Sequence, residues 1–67
     1  MKKVISTHID TIHYDAPTKT LYVAFKGGGT YKYQNVPQDT YNNLDSSQSK
    51  GKYFIDNIKN KFYNSKV

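Results

Sequence analysis

The apolar spacing of this chain changes once, at Val36-Pro37. Before that point apolar residues recur at every second position, as Leu21, Val23 and Phe25 do. After it they recur at three and four, as Phe54, Ile58 and Phe62 do. A period of two sends successive side chains to opposite faces of a strand, and a period near 3.6 lays them along one stripe of a helix. A chain of 67 residues carrying both patterns must bury its helix stripe against its sheet face. That leaves room for one domain, residues 1–67.

A domain this short buries only about 60% of the surface its unfolded chain exposes, so nearly every apolar side chain must join the core. The apolar set is unusual, with seven Tyr, three Phe and no Trp. Size excludes large nucleotide-binding folds and catalytic barrels. No apolar run approaches the roughly 18 residues of a membrane span, so no membrane contact is expected. With no cysteine, neither a disulfide framework nor a thiolate zinc site is possible. Met1-Lys2-Lys3 leads into only Val4-Ile5 before polar residues, unlike a secretory signal, and a cytoplasmic location is expected.

The strand pattern resolves into three segments. Residues 4–14 form the first, where Ile9 and Ile12 share a face only if a β-bulge lies between them. Asp15-Ala16-Pro17-Thr18 is a turn. Residues 20–26 form the second strand. Gly27-Gly28-Gly29 supplies the hairpin turn, since glycine takes positive φ without steric cost. Residues 30–35 form the third strand.

The hairpin register decides where the tyrosines go. A two-residue turn at Gly27-Gly28 pairs Phe25 with Thr30 and Tyr22 with Tyr33. It places Tyr22, Tyr31 and Tyr33 on one face, opposite Leu21, Val23 and Phe25. A three-residue turn at 27–29 moves Tyr31 and Tyr33 into the core. Two-residue turns are the commonest hairpin loops, which favours the first register.

Pro37 opens a short helix, with Asp39 in its first turn and Tyr41 and Leu44 facing inward. Asp45–Gln48 is a loop. Ser49 is positioned to cap a second helix over residues 50–64, with Phe54, Ile55, Ile58 and Phe62 as its buried stripe. The expected fold is α+β, a three-stranded antiparallel meander followed by two helices packed on one face (β-β-β-α-α). The expected core is Leu21, Val23, Phe25, Phe54, Ile58 and Phe62.

Ten Lys against five Asp give a net charge of +5, with no Arg and no Glu. A basic small domain suits a polyanionic partner. Lysine acts as a point charge, so such contacts would position a nucleic acid without reading its bases. Two constellations fit this chemistry. Tyr31 and Tyr33, with Tyr22 across the strand and Lys32 on the other face, form a candidate stacking platform for bases. The alternative is that Tyr31 and Tyr33 fill the core with their hydroxyls at its rim. Ser49, Lys50, Gly51 and Lys52 open the second helix and form a candidate phosphate site. There the routine alternative is capping by Ser49 and close packing at Gly51. Lys52, Lys59 and Lys66 form a basic stripe along that helix.

Ser6, His8 and Asp10 alternate along the first strand. Side chains on one strand face project side by side, whereas a triad must converge, so no catalytic role is expected. His8 and His13 lack a third ligand at metal spacing, so neither metal nor cofactor is expected.

The Tyr31-Lys32-Tyr33 strand, Val36-Pro37, and Ser49-Lys50-Gly51-Lys52-Tyr53-Phe54 with Ile58 resemble the KTSC domain. So do Ile9, Ile12 and Tyr14-Asp15, followed by Leu21, Val23, Phe25 and a glycine. The resemblance covers residues 6–63. It implies a domain found at the C-terminus of some lysyl-tRNA synthetases and as free-standing small bacterial and phage proteins. That company implies RNA binding. The expected function is a non-catalytic domain that binds RNA or a phosphate-bearing nucleotide through Lys and Tyr. The alternative is a protein-interaction module, such as a phage-encoded inhibitor of a host protein or a homodimer. A variant of either sequesters a nucleotide messenger, in a pocket that a dimer would build between subunits.

Overall fold

A computed structural model describes residues 2–3 and 8–67. The expected strand residues Val4 and Ile5, and Ser6 of the Ser6-His8-Asp10 row, lie outside the described residues. Among the described residues five strands form one antiparallel sheet in chain order, β1-β2-β3-β4-β5. They are β1 (Lys2–Lys3), β2 (Ile9–Asp15), β3 (Thr20–Phe25), β4 (Gly29–Tyr33) and β5 (Asn64–Lys66). Two helices, α1 (Gln38–Ser46) and α2 (Lys50–Asn57), lie between β4 and β5 in sequence. The α+β meander with two helices is as expected, and the strand count is not.

The bulge between Ile9 and Ile12 is present. Ile9 pairs with Phe25 and Ile12 with Val23, and the register shifts between Ile9 and Thr11. Both isoleucines are thereby turned into the core, where both are fully buried.

The β3–β4 hairpin corrects the favoured register. Phe25 pairs with Gly29, Val23 with Tyr31 and Leu21 with Tyr33. The loop is Lys26-Gly27-Gly28, three residues rather than two. Its turn closes with the Gly28 N–H donating to the Phe25 carbonyl at 3.2 Å. Gly27 takes φ +73° there, a conformation that costs an L residue about 1–2 kcal/mol. The reason for this register lies in Lys32. A two-residue loop would have set Lys32 opposite Val23 and buried an ammonium in the core, where no partner offsets its desolvation. The observed loop places Tyr31 and Tyr33 on the core face and pairs Lys32 with Tyr22 on the other.

One core forms between that face and both helices. Leu21, Val23, Tyr33, Val36, Leu44, Phe54 and Ile58 are buried with the two isoleucines, while Phe25 and Phe62 are half-buried against them. The Phe54 ring packs edge-on against Phe25 and Tyr33, each at 5.3 Å between centroids. Tyr41 of α1 stacks on Tyr14 at 4.9 Å, and the Tyr14 hydroxyl donates to the Val36 carbonyl. Pro37 is the N-cap residue of α1, one position earlier than expected, with Asp39 in the first turn.

The second helix stops at Asn57 instead of residue 64. The N–H groups of Ile58 and Lys59 both donate to the Phe54 carbonyl at 2.9 Å, which loosens the last turn. The Asn57 side chain also donates to the Tyr53 carbonyl, competing with the helical ladder. The chain then turns, and β5 pairs with β4, so that Tyr31 faces Lys66 and Tyr33 faces Asn64. This pairing covers the row of backbone groups that β4 would otherwise expose at the sheet edge. The expected lysine stripe is broken up, because Lys59 and Lys66 follow the helix rather than lie on it. Ile55, assigned to the buried stripe, is 50% exposed.

Candidate groove between helix α2 and the hairpin

A groove of about 560 Å³ opens where α2 meets the β3–β4 hairpin and the end of β5. Its lining separates by depth. The buried and half-buried part is formed by Ile9, Phe25, Tyr31, Tyr33, Gly51 and Phe54. The exposed part is His8, Gly28, Ile55, Lys59, Asn60 and Asn64. The depth is therefore mainly aromatic, and the mouth sets Ile55 among polar side chains; among the described residues the lining has one lysine and no carboxylate. Such a volume lies within the roughly 300–1,000 Å³ of small-ligand sites. A single copy of the chain forms this groove without a dimer.

Each element contributes for a local reason. The hairpin register turns Tyr31 and Tyr33 toward α2. Tyr31 meets Phe25 edge-on at 5.8 Å and is only half-buried, so part of its ring borders the groove. Tyr33 is 4% exposed. Burial raises its phenol pKa above the usual 10.0, and the neighbouring Tyr31 adds to the rise. Gly51 stands one helical turn before Phe54 and Ile55 on the groove side of α2. Lys66 stands beside Tyr31 across the strand pair, and its Cε lies 3.0 Å from where a Gly29 Cβ would project.

The groove brings together only Tyr31, Tyr33 and Gly51 of the expected site residues. Tyr22 and Lys32 are on the opposite, open face of the sheet, so the expected three-tyrosine platform does not exist. Tyr33 belongs to the core rather than to a stacking surface. On the open face Tyr22 lies 5.9 Å from the His13 ring, beside a hollow that also involves Asp15, Thr30 and Val67.

The expected phosphate cluster is likewise dispersed. Ser49 is the N-cap residue of α2, yet its hydroxyl makes no capping hydrogen bond. The Ser49 N–H instead donates to the Ser47 hydroxyl at 3.1 Å. The Lys50 ammonium folds back onto the Ser47 carbonyl at 2.9 Å, and Lys52 is exposed. Among the described residues no group of three or more His, Cys, Asp or Glu gathers as a metal site. Asn60 and Asn64 were missed because residues 50–64 were read as one helix, and Lys59 was placed in a stripe with Lys52 and Lys66. The signal that could have found them is the run of asparagines, whose weak helix propensity argues for a turn.

Residues 5–63 match the model of the KTSC domain family. This chain belongs to the KTSC domain family. A KTSC domain protein from Yersinia pestis has the same fold, with a TM-score of 0.97 and 38% identity over 98% of this chain and 93% of that one. A lysine–tRNA ligase of Trichormus variabilis is 41% identical over 54 residues, which is 81% of this chain and 10% of the ligase. A protein of Tsukamurella paurometabola is 32% identical over 62 residues, 92% of each chain. The chain thus spans about a tenth of the ligases it matches and nearly the whole of the Tsukamurella protein. The KTSC domain therefore occurs both as part of a tRNA synthetase and as a protein of this size. Among the described residues no helix of this KTSC domain is long and apolar enough to cross a membrane.

Proposed function

We propose that this KTSC domain is a non-catalytic binding module that takes an unpaired RNA nucleotide into the groove between α2 and the β3–β4 hairpin. The observation that carries the reading is the groove's composition, an aromatic depth under a mouth that, among the described residues, has Lys59 and no carboxylate. Bases bind aromatic side chains by stacking, and phosphates favour a cationic border. The relatedness to a segment of lysine–tRNA ligases supports RNA as the source of the nucleotide.

The test is a titration with single-stranded RNA across a salt series. With about three phosphates neutralised, the log–log slope should lie near −2. Ile55→Glu places a carboxylate at the mouth on a half-exposed side chain, and should weaken binding about tenfold without unfolding the protein. Absence of RNA affinity at low salt overturns the reading.

The interaction-module reading rests on a different surface. The sheet face bearing Tyr22, His13 and Lys32 is covered by neither helix. A pull-down in which capture persists after nuclease treatment and is lost in Tyr22→Ala would favour it.

A further inference from the structure

We infer that the groove selects adenine, and that the carboxamides of Asn60 and Asn64 are the groups that read it. This rests on the nucleotide-binding reading above. Both asparagines line the exposed part of the groove, from different elements. Asn60 stands in the turn after α2, and Asn64 in β5 directly opposite Tyr33. Among the described residues the Asn64 side-chain amide makes one long hydrogen bond, donating to the Phe62 carbonyl at 3.4 Å.

A carboxamide offers one donor and one acceptor side by side. It therefore pairs in two-pronged fashion with any base edge that offers the complementary couple. Adenine offers such a couple on both edges, its exocyclic amine with N7 on one side and with N1 on the other. Guanine offers two acceptors on its N7 edge, which call for two donors, and a complementary couple, O6 with the ring N1–H, only on its pairing edge. Cytosine and uracil offer a complementary couple only on their pairing edge, and each has one ring instead of two to cover the aromatics beneath. Adenine alone offers the couple on two edges, one for each carboxamide, and among the described lining residues no carboxylate accepts from guanine's ring N–H and amine together, so the pair of carboxamides matches adenine best.

The probes are a short oligoadenylate, an oligouridylate of equal length, AMP and GMP. Each is titrated into the isotope-labelled protein while the backbone amides of Tyr31, Ile55 and Asn64 are followed by NMR. The expected result is that oligoadenylate binds at least about fivefold tighter than oligouridylate, and AMP tighter than GMP by a similar factor. In N60A/N64A both preferences should collapse toward unity while affinity for oligouridylate persists. Neither position has positive φ, so alanine fits both backbones. A thermal melt like that of the parent confirms that the variant is folded. If AMP binds as well as oligoadenylate, the adenine comes from a free nucleotide; if only the oligomer binds, it comes from RNA. Either result supports the assignment. Equal binding of all four probes overturns adenine selectivity and leaves the RNA reading standing. A preference that survives in N60A/N64A removes the asparagines as readers. No binding by any probe, RNA included, removes both readings.

Discussion

Lys32 and Tyr33 are consecutive residues of β4, and they illustrate how differently the two faces of this sheet are used. Tyr33 lies under Phe54 in the core, whereas Lys32 stands beside Tyr22 on a face that no helix covers. Residue type does not separate the two environments, since tyrosines occupy both. Parity along the strand does, and the loop between β3 and β4 sets that parity. On the covered face, side chains meet α2 and contribute to stability. On the open face, cross-strand neighbours are the main partners, each pair contributing about 0.2–1 kcal/mol. Substitutions on the two faces should therefore differ several-fold in effect.

The largest effect is expected at Phe54, the ring shared by α2, β3 and β4. Phe54→Ala removes edge-on contacts with both Phe25 and Tyr33 and should destabilise by about 3–5 kcal/mol. Native domains have only about 5–15 kcal/mol in total. Urea unfolding followed by circular dichroism should show the variant largely unfolded or with a much lower midpoint. A cooperative transition close to that of the parent would mean that α2 does not lie on this face.

Next comes the loop that sets the parity. Gly27 takes φ +73°, and a Cβ there would meet nothing within 4 Å, so only the backbone opposes a side chain. Gly27→Ala should cost about 1–2 kcal/mol. Its unfolding midpoint should fall without a change in the slope of the transition. No measurable loss would mean that the turn is placed elsewhere, and with it the register.

The parity was the part of the fold least legible in the sequence, and Lys32 was the overlooked signal. Turn statistics favoured a two-residue loop, but burying a lysine outweighs a preference among loop lengths. The alternation of Leu21, Val23 and Phe25, the bulge between Ile9 and Ile12, and the helix opening at Pro37 were all legible, because side chains encode them. Strand β5 was not. Asn64-Ser65-Lys66 carries no apolar alternation, and the segment is a strand because its backbone satisfies an edge. The groove inherited both gaps. Tyr31 and Gly51 could be named from sequence, while Asn60 and Asn64 reach the site only because α2 ends early and β5 returns to the sheet.

A smaller effect should appear at alkaline pH and on the covered face alone. Burial raises the pKa of Tyr33 above 10.0. Below that value the phenol is neutral in both folded and unfolded chains, and its contribution to stability is complete. As the pH rises past it, the unfolded chain releases this proton first. The native state then binds more protons than the unfolded one, so stability falls with pH until the raised native pKa is passed. Denaturation midpoints measured on either side of pH 10.0 should fall more steeply for the parent than for Tyr33→Phe, with the lysines common to both. Parallel curves would place Tyr33 in contact with solvent.

The smallest effect belongs to the open face, and it sharpens the comparison most. Tyr22→Ala removes one ring, tilted against His13 at 5.9 Å, and should cost about 0.2–1 kcal/mol. Its unfolding midpoint should stay near that of the parent, far above that of Phe54→Ala. Tyr22 is turned away from the groove, so affinity for oligoadenylate should be unchanged within error while Ile55→Glu weakens it about tenfold. The pair of variants therefore locates the nucleotide site. Loss of RNA binding in Tyr22→Ala, with Ile55→Glu unaffected, would move the site to the open sheet. Stacking of bases on Tyr22 and His13 with phosphates near Lys32 would then replace insertion beneath α2.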